Sequence, residues 1–185
     1  MSKSKIEWAD GNQVAKALVN RLEPFCDRIK IAGSIRRKLP LINDIEIVCI
    51  PKEVIQKVDL FDSTHFRVLG FGKTLAGLEI IKGDIRAGRY IQLLTPEGIK
   101  LDLFTAKPDN WGFIFAIRTG SADFSKFLAS TWVQKGYKGI DGYLTQGGVK
   151  VPIYSEDQLF RLLDLPWAYP EQRNQFGLPE AIHGC

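Results

Sequence analysis

The stretch GSIRRKLPLINDIEIVCI, residues 33–50, joins a glycine-containing turn to an apolar segment. Residues 44–50 are mostly β-branched or apolar and end at Pro51, which predicts a buried β-strand. Successive side chains of a strand point to opposite faces, so Asp44 and Glu46 share one face and the isoleucines beside them share the other. Two carboxylates are therefore expected together on one face of this strand.

The turn before that strand carries groups that bind phosphate. Gly33 allows backbone amides to approach phosphate oxygens, Ser34 adds a hydroxyl donor, and an arginine such as Arg37 offers a planar fork for a triphosphate. This motif has little specificity by itself. It becomes specific when Asp44 and Glu46 follow, because a phosphate clamp and metal ligands then lie side by side in the sequence.

A third carboxylate comes from a later hairpin. Residues 90–95 and 99–105 alternate apolar and polar side chains around a short glycine-containing turn, which predicts two antiparallel strands. Lys100 and Asp102 lie on the polar face of the second strand. If that strand neighbours residues 44–50, Asp102 completes a cluster of three carboxylates, which is costly unless cations occupy it. Such a cluster suits two Mg²⁺ ions, with Mn²⁺ as a possible substitute, and supports in-line phosphoryl displacement.

Each of these acids also fits a simpler interpretation when it is taken alone. Aspartate and glutamate are common on the solvent face of a half-buried strand. Only the grouping of the three acids with the phosphate-binding turn points to a metal site.

The overall pattern predicts an α+β protein in two parts. Residues 1–105 are expected to form a mixed sheet with flanking helices, including an amphipathic helix over 12–22 and a short helix over 53–61. Residues 106–185 are expected to form a smaller helical and β subdomain. The boundary is placed near residue 106 because predicted strands give way to predicted helices there.

Composition excludes several classes of protein. The chain has 185 residues, 45% of them hydrophobic and 25% charged, which is typical of a globular protein with a substantial core. Cys26, Cys49 and Cys185 lack CxxC spacing, which argues against a disulfide framework or a zinc site and favours a reducing compartment. No apolar run reaches membrane-spanning length and the N-terminus lacks a signal-peptide pattern, so we expect a cytoplasmic protein, or a nuclear or viral-factory one in a eukaryotic host.

Positive charge is concentrated in the first part of the chain. The net charge is +4, and residues 1–105 contain 17 lysines and arginines against 13 acidic residues, whereas residues 106–185 contain 8 of each. If bound ions neutralise Asp44, Glu46 and Asp102, the basic excess of the first part grows. This balance favours a polyanionic partner held through its phosphates, although a charge of +4 is also common in proteins that bind no nucleic acid.

These motifs together resemble the family X DNA polymerases, the polymerase beta-like branch of the nucleotidyltransferase superfamily. The residues that carry the resemblance are GSIRR (33–37), DIE (44–46), KLDLF (100–104), RTGSADFSKF (118–127), VQKGYKGIDGYL (133–144) and VPIYSEDQLFRLLDLPWAYPEQRN (151–174). The resemblance covers nearly the whole chain. It implies a nucleotidyltransferase palm over 1–105 and a C-terminal nucleotide-binding subdomain over 106–185.

Carried over residue by residue, the resemblance also implies the site. Its catalytic carboxylates and metal ligands would be Asp44, Glu46 and Asp102, with Asp102 activating the primer 3′-hydroxyl. Its nucleotide contacts would be Gly33, Ser34, Arg37, Thr119, Gly120 and Ser125. Its primer and DNA contacts would be Lys100 and Lys126. Lys126 also fits a solvated helix residue, and Ser121 fits a helix cap as well as a ligand contact.

Four departures from the family pattern bear on activity. Glu46 stands where an aspartate is usual, which keeps a metal ligand and leaves the metal preference open. Ile117 and Arg118 replace an aromatic pair that screens the sugar, and Ala129 replaces an arginine beside the templating strand. Only about 30 residues precede the Gly-Ser motif, so we expect no lyase domain and no helix-hairpin-helix lobe, as in minimal viral members.

The leading hypothesis is a minimal DNA-directed polymerase that extends a 3′-hydroxyl at short gaps in DNA repair. Its expected partners are a nucleoside triphosphate and primer-template or gapped DNA, with no membrane association, and it is expected to be a monomer. One alternative is a template-independent terminal nucleotidyltransferase acting on a DNA or RNA end. Another is a non-catalytic nucleic-acid-binding module.

Overall fold

The computed structural model describes residues 5–57, 63–175 and 177. Its strands are β1 (Ile6–Glu7), β2 (Cys26–Ile31), β3 (Leu41–Ile42), β4 (Asp44–Pro51), β5 (Glu53–Lys57), β6 (Ser63–Arg67), β7 (Glu79–Lys82), β8 (Tyr90–Leu94), β9 (Lys100–Thr105), β10 (Lys138–Ile140), β11 (Tyr143–Gln146) and β12 (Val149–Val151). Its helices are α1 (Trp8–Leu22), α2 (Gly33–Arg36), α3 (Leu69–Leu75), α4 (Trp111–Thr119), α5 (Ala122–Gln134) and α6 (Glu156–Leu162). The chain is thus α+β, as the sequence predicts.

The chain forms two compact units. The first contains the residues up to Ile31 together with Pro40–Lys107, and the second contains Ala32–Leu39 together with the residues from Pro108. The sequence pattern placed residues 32–39 in the first part. They group with the second unit because the side chains of Arg36 and Arg37 hydrogen-bond to α4 and to residues near the C-terminal end of the described chain.

A five-stranded mixed sheet forms the centre of the first unit. Its strand order is β2-β4-β9-β8-β7, with β4 and β9 parallel and the other pairs antiparallel. Helix α1 packs against β2 and β4 through a buried stripe that includes Ala15, Leu18 and Leu22, the periodicity of an amphipathic helix. Half-buried and buried residues alternate along β8 and along the first four residues of β4 and β9, whereas the last four residues of β4 are all buried.

The predicted short helix over residues 53–61 is wrong where the structure describes that segment. Residues 53–57 form β5, which pairs antiparallel with β6. Pairing with a second strand supplies the backbone hydrogen bonds that a helix would have made locally, and Val54 and Ile55 are β-branched residues that suit a strand. Residues 58–61 of the predicted helix lie outside the described residues.

The second unit packs helices α4, α5 and α6 around one apolar core. Phe113, Phe124, Leu128, Leu159 and Phe160 are all buried in it, and strands β10, β11 and β12 form a small antiparallel sheet in the same unit. Within residues 5–57, 63–175 and 177, no helix combines the length and the apolar character needed to cross a bilayer.

Two serines cap helices of the second unit, and Ser121 is the one for which the sequence suggests this role. The Ser121 hydroxyl accepts a hydrogen bond from the Phe124 amide at 3.0 Å, and the Ser155 hydroxyl accepts one from the Gln158 amide at 3.2 Å. Each bond satisfies one of the amides that an α-helix leaves without an internal partner in its first turn. Ser121 is therefore a structural cap, as one of the two interpretations of this residue expects.

Candidate active site

Two of the predicted catalytic carboxylates lie on one face of β4. Asp44 and Glu46 are half-buried, whereas Ile45 and Ile47 between and beside them are fully buried in the core. The period of two in a strand produces this division, since the isoleucines must face the apolar layer. The predicted shared face of Asp44 and Glu46 is therefore confirmed.

Strand β9 brings the third predicted carboxylate next to this pair. It runs parallel to β4 in a register that sets Glu46 beside Asp102 and Asp44 beside Lys100. Residues paired directly across neighbouring strands share a face, so the three acids and Lys100 all lie on the same side of the sheet. Both residues on β9 are half-buried.

The side chain of Asp102 is held by strand β8. Its Oδ1 accepts a hydrogen bond from the Tyr90 hydroxyl at 2.9 Å and another from the Gln92 side-chain amide at 2.8 Å. These neutral donors offset part of the cost of keeping a carboxylate half-buried beside other acids.

Whether a metal ion fits this face depends on the type of the ligands and on how closely they are gathered. Carboxylate oxygens are the ligands that Mg²⁺ and Mn²⁺ prefer, and the register of β4 and β9 puts three of them on neighbouring strands. In the part of the chain that the structure describes, however, no three histidine, cysteine or acidic side chains are gathered closely enough to hold one ion. The donor set and the strand register therefore fit a divalent ion, and the metal-binding role of the three acids stays a prediction.

The predicted phosphate-binding turn belongs to the second unit. Gly33 has φ +59°, a conformation that an L-residue adopts only with strain, so glycine is needed for the turn into α2. The Ser34 hydroxyl oxygen is buried, and no residue that the structure describes forms a hydrogen bond with it. Such an oxygen is rare in a folded protein and calls for a partner such as a ligand or water.

Arg37 contributes to the structure of the second unit. Its Nη1 donates to the backbone carbonyl of Thr119 at 2.7 Å, and its Nε donates to the Asn174 side-chain oxygen at 2.8 Å. These bonds connect the turn to the end of α4. A guanidinium has five N–H donors, so these two bonds leave donors that could also contact a phosphate.

A buried ionic cluster lies beside this turn. The Arg36 guanidinium forms a two-pronged contact with Glu156, with Nη1 2.9 Å from Oε1 and Nη2 2.6 Å from Oε2. Arg36 also donates to the Thr119 hydroxyl and lies 3.9 Å from the centre of the Phe115 ring. On the other side, Arg173 donates to Oε1 of Glu156. One carboxylate thus binds two guanidinium groups.

Burial and charge act in opposite directions on this cluster. Burial alone would raise the pKa of Glu156, but the hydrogen bond from Arg36 and the positive charges of Arg173 and Arg36 outweigh it, so the pKa of Glu156 is lowered. Burial lowers the pKa of Arg173, although Glu156 opposes the shift. The Arg173 side chain is 0% exposed and its guanidinium carbon lies 5.0 Å from the ring centres of both Phe160 and Trp167.

The predicted nucleotide contacts on α4 and α5 all have structural partners. Thr119 is fully buried and accepts hydrogen bonds from Arg36 and Arg37, so it anchors the two arginines. The Ser125 hydroxyl donates to the Ile117 carbonyl at 2.9 Å. The backbone of Gly120 ends α4, with its amide donating to the Ala116 carbonyl. Their roles toward a nucleotide stay predictions.

Lys126 is the most exposed residue of the predicted set. Its side chain is 72% exposed and its ammonium lies 3.3 Å from the Asp123 carboxylate, one turn away on α5. This arrangement is that of a solvated helix residue, the alternative weighed for it. It does not exclude a contact with DNA phosphate, since exposed ion pairs are weak.

Comparisons with known proteins agree with this organisation. Residues 115–174 match the family described as DNA polymerase beta thumb. DNA polymerase IV of Saccharomyces cerevisiae is 32% identical over 89 residues, which is 46% of this chain and 15% of the yeast protein. The chain thus spans about 15% of the length of that curated relative.

Two solved structures of Leishmania infantum polymerase beta share the fold. The ternary P/T complex superposes with a TM-score of 0.66 at 18% identity, covering 92% of this chain and 77% of that one. The ternary gap complex gives a TM-score of 0.68 at 19% identity, covering 92% and 71%. The chain has the polymerase beta fold, and its residues 115–174 match the polymerase beta thumb family. The thumb-family match supports the resemblance drawn from the segments between residues 118 and 174.

Sequence reasoning missed the structural role of Arg36, Glu156 and Arg173. Glu156 follows the cap residue Ser155 in the first turn of α6, a place where an acid is common and marks no further role. A signal was nevertheless present, because Glu156, Leu159, Phe160 and Leu163 recur at the spacing of one helix face, and all four are buried. An acid on the apolar face of a helix needs a cationic partner, and the paired arginines after Gly33 are a motif that could supply one.

Proposed function

We propose that the chain is a DNA-directed DNA polymerase that transfers a nucleotide from a nucleoside triphosphate to a primer 3′-hydroxyl, with release of pyrophosphate, during short-gap filling. The observation that carries the proposal is the parallel register of β4 and β9, which sets Asp102 beside Glu46 on the face that also bears Asp44. The family match over residues 115–174 supports it, since an acidic sheet face by itself occurs in proteins of many functions.

The relatives support a DNA substrate for this proposal. The yeast relative is named a DNA polymerase, and the two solved structures are described as ternary complexes, one of them with gapped DNA. Gly33, Ser34 and Arg37 would hold the triphosphate, and Thr119, Gly120 and Ser125 would line the sugar and base. The buried Ser34 hydroxyl favours this assignment, because among the described residues it has no hydrogen-bond partner and a phosphate oxygen would supply one.

The three carboxylates would hold the metal ions, and Lys100 would bind the primer. Asp44, Glu46 and Asp102 would hold two divalent ions, which when bound activate the attacking hydroxyl and stabilise the departing oxygen. Asp102 would lie nearest the primer 3′-hydroxyl and orient it. Lys100, on the same face of β9, would attract the phosphates of the primer end.

The test is a primer-extension assay with the full chain, run with and without template, with deoxy- and ribonucleotides, and with Mg²⁺ or Mn²⁺. We expect template-directed incorporation by the wild type and a loss of at least about 10³-fold in the Asp102→Ala variant, because a ligand of the reacting centre is removed. Asp84→Asn, an exposed aspartate of the same unit, is the matched control and should retain activity.

The outcomes separate the three functions considered. Extension that persists without template favours a terminal transferase. Binding of gapped DNA without incorporation under either metal favours a non-catalytic binding module. Full activity in Asp102→Ala contradicts the role given to Asp102.

A further inference from the structure

Tyr90 and Gln92 on β8 meet Asp102 at a single oxygen. Both donors contact Oδ1, the hydroxyl at 2.9 Å and the amide at 2.8 Å. We infer that Tyr90 and Gln92 are positioning residues of the catalytic centre, which fix the Asp102 carboxylate so that its other oxygen is presented to a divalent ion and the primer hydroxyl. This inference rests on the proposed function.

The strand register makes the contact with Gln92 direct. Gln92 lies opposite Asp102 in the antiparallel β8–β9 pair, while Glu46 lies opposite Asp102 on the other side of β9, in β4. Asp102 therefore stands between a neutral donor on one neighbour and a carboxylate on the other. Donors on the β8 side hold one of its oxygens and leave its ligand role to the side that faces Glu46.

The two donors are themselves rigidly placed. Gln92 is flanked by Ile91 and Leu93, which are both fully buried, and β8 is paired on both edges, to β7 and to β9. The Tyr90 ring stacks on Phe104 with centroids 5.0 Å apart and an interplanar angle of 19°. Donors on fixed elements define the direction of a carboxylate far better than exposed, mobile ones.

The chemistry explains why such donors matter. A ligating carboxylate is itself usually hydrogen-bonded, and removing those outer partners typically costs about 10- to 100-fold in metal affinity or activity. A carboxylate that can turn freely loses part of its ion binding and its alignment with the reacting hydroxyl. Neither Tyr90 nor Gln92 needs to touch the nucleotide for this effect.

The experiment compares Tyr90→Phe, Gln92→Met and the double variant with the wild type. Tyr90→Phe removes one hydroxyl and keeps the ring that stacks on Phe104, so the fold is preserved. Tyr143→Phe is the matched control, because it removes a hydroxyl that contacts Asp109 at 3.2 Å in the second unit. Asp102→Asn is the positive control for loss of the ligand.

Binding of Mn²⁺ to the free protein, measured by electron paramagnetic resonance, is the first readout and does not depend on activity. We expect it to weaken about 10-fold or more in Tyr90→Phe and Gln92→Met. Primer extension is the second readout, in which kcat should fall by a similar factor while KM for the nucleotide stays within about twofold of wild type. The thermal midpoint should fall no further than in Tyr143→Phe. A contact with a purely structural role would lower the thermal midpoint and leave Mn²⁺ binding unchanged.

The inference is overturned if the wild type binds no Mn²⁺, or if Tyr90→Phe and Gln92→Met bind Mn²⁺ as tightly as the wild type or more tightly. A wild type that extends primers while these variants behave like Tyr143→Phe overturns the inference and leaves the proposed function standing. A wild type that incorporates no nucleotide, while the variants still lose Mn²⁺ binding, refutes the polymerase proposal and supports only the role of Tyr90 and Gln92 in holding Asp102 as an ion ligand.

Discussion

Replacing Glu156 with leucine tests whether the ionic cluster stabilises the second unit. The substitution keeps the volume of the side chain and leaves two guanidinium groups without their common partner. Arg173 is 0% exposed and Arg36 is 22% exposed, so Arg173 carries most of the penalty. Breaking a buried ion pair by removing one partner costs about 3–5 kcal/mol. We expect a loss of about 4 kcal/mol from the free energy of unfolding of this unit.

That loss is large against the stability of an ordinary domain, about 5–15 kcal/mol. With a urea dependence of about 2 kcal/mol per molar, the unfolding midpoint should fall by about 2 M. Tryptophan fluorescence is a suitable signal because three of the four tryptophans, Trp111, Trp132 and Trp167, belong to the second unit. Trp167 also lies against Arg173, so it reports directly on the cluster.

Two further variants make the measurement decisive. Glu171→Gln is the matched control: Glu171 pairs with Lys38 at 2.7 Å in the same unit, but both side chains are exposed, so we expect a loss below about 1 kcal/mol. The double variant Glu156→Leu, Arg173→Met should be more stable than Glu156→Leu alone, because it no longer buries Arg173 without a partner. If Glu156→Leu loses no more stability than Glu171→Gln, the reasoning about the cluster is refuted.

Three other predictions concern the pH dependence of stability, a closely packed glycine and a buried arginine. The pKa of Glu156 is lowered in the folded chain, so its contribution to stability is complete above the ordinary glutamate pKa of about 4.3 and is lost as the pH falls below that value. We therefore expect the urea midpoint of Glu156→Gln to fall less on acidification than the urea midpoint of the wild type. Gly112→Ala should lower the thermal midpoint sharply, since a Cβ there would lie 2.2 Å from backbone atoms just before α6, whereas Gly77→Ala, with no atom within 4 Å, should change it little. Arg67→Met should cost about 1–3 kcal/mol in urea unfolding, because buried Arg67 loses its hydrogen bonds to three backbone carbonyls. Arg86→Met, whose side chain is 80% exposed, should cost much less.

The acidic face of the sheet was predictable because its determinants are local. Alternation places Asp44 with Glu46 and Lys100 with Asp102 within single strands, so each pair follows from a period of two. The hairpin of β8 and β9 follows from a short turn between two alternating segments. The parallel pairing of β4 with β9 is different, since it joins segments more than 50 residues apart and the pattern of neither segment specifies it.

The parts that escaped prediction depend on distant partners. The strand over residues 53–57 forms because β6 pairs with it, and the local sequence pattern does not indicate that partner. The contact of Arg36 with Glu156 spans 120 positions of the chain. The donors Tyr90 and Gln92 were visible as polar positions of a predicted strand, but their convergence on one oxygen of Asp102 depends on side-chain conformations that a sequence pattern does not specify.

The arginines after Gly33 join two segments of the second unit that both carry proposed nucleotide contacts. Arg36 and Arg37 both bind Thr119, the first through its hydroxyl and the second through its carbonyl, so the turn that follows Ala32 is joined to the end of α4 within one compact unit. All the predicted nucleotide contacts belong to that unit, whereas the predicted metal ligands belong to the other. The proposed nucleotide contacts and the proposed metal ligands are therefore supported by separate cores. Loss of the bonds to Thr119 would free both the turn after Ala32 and the end of α4, so the proposed phosphate and sugar contacts would be disturbed together.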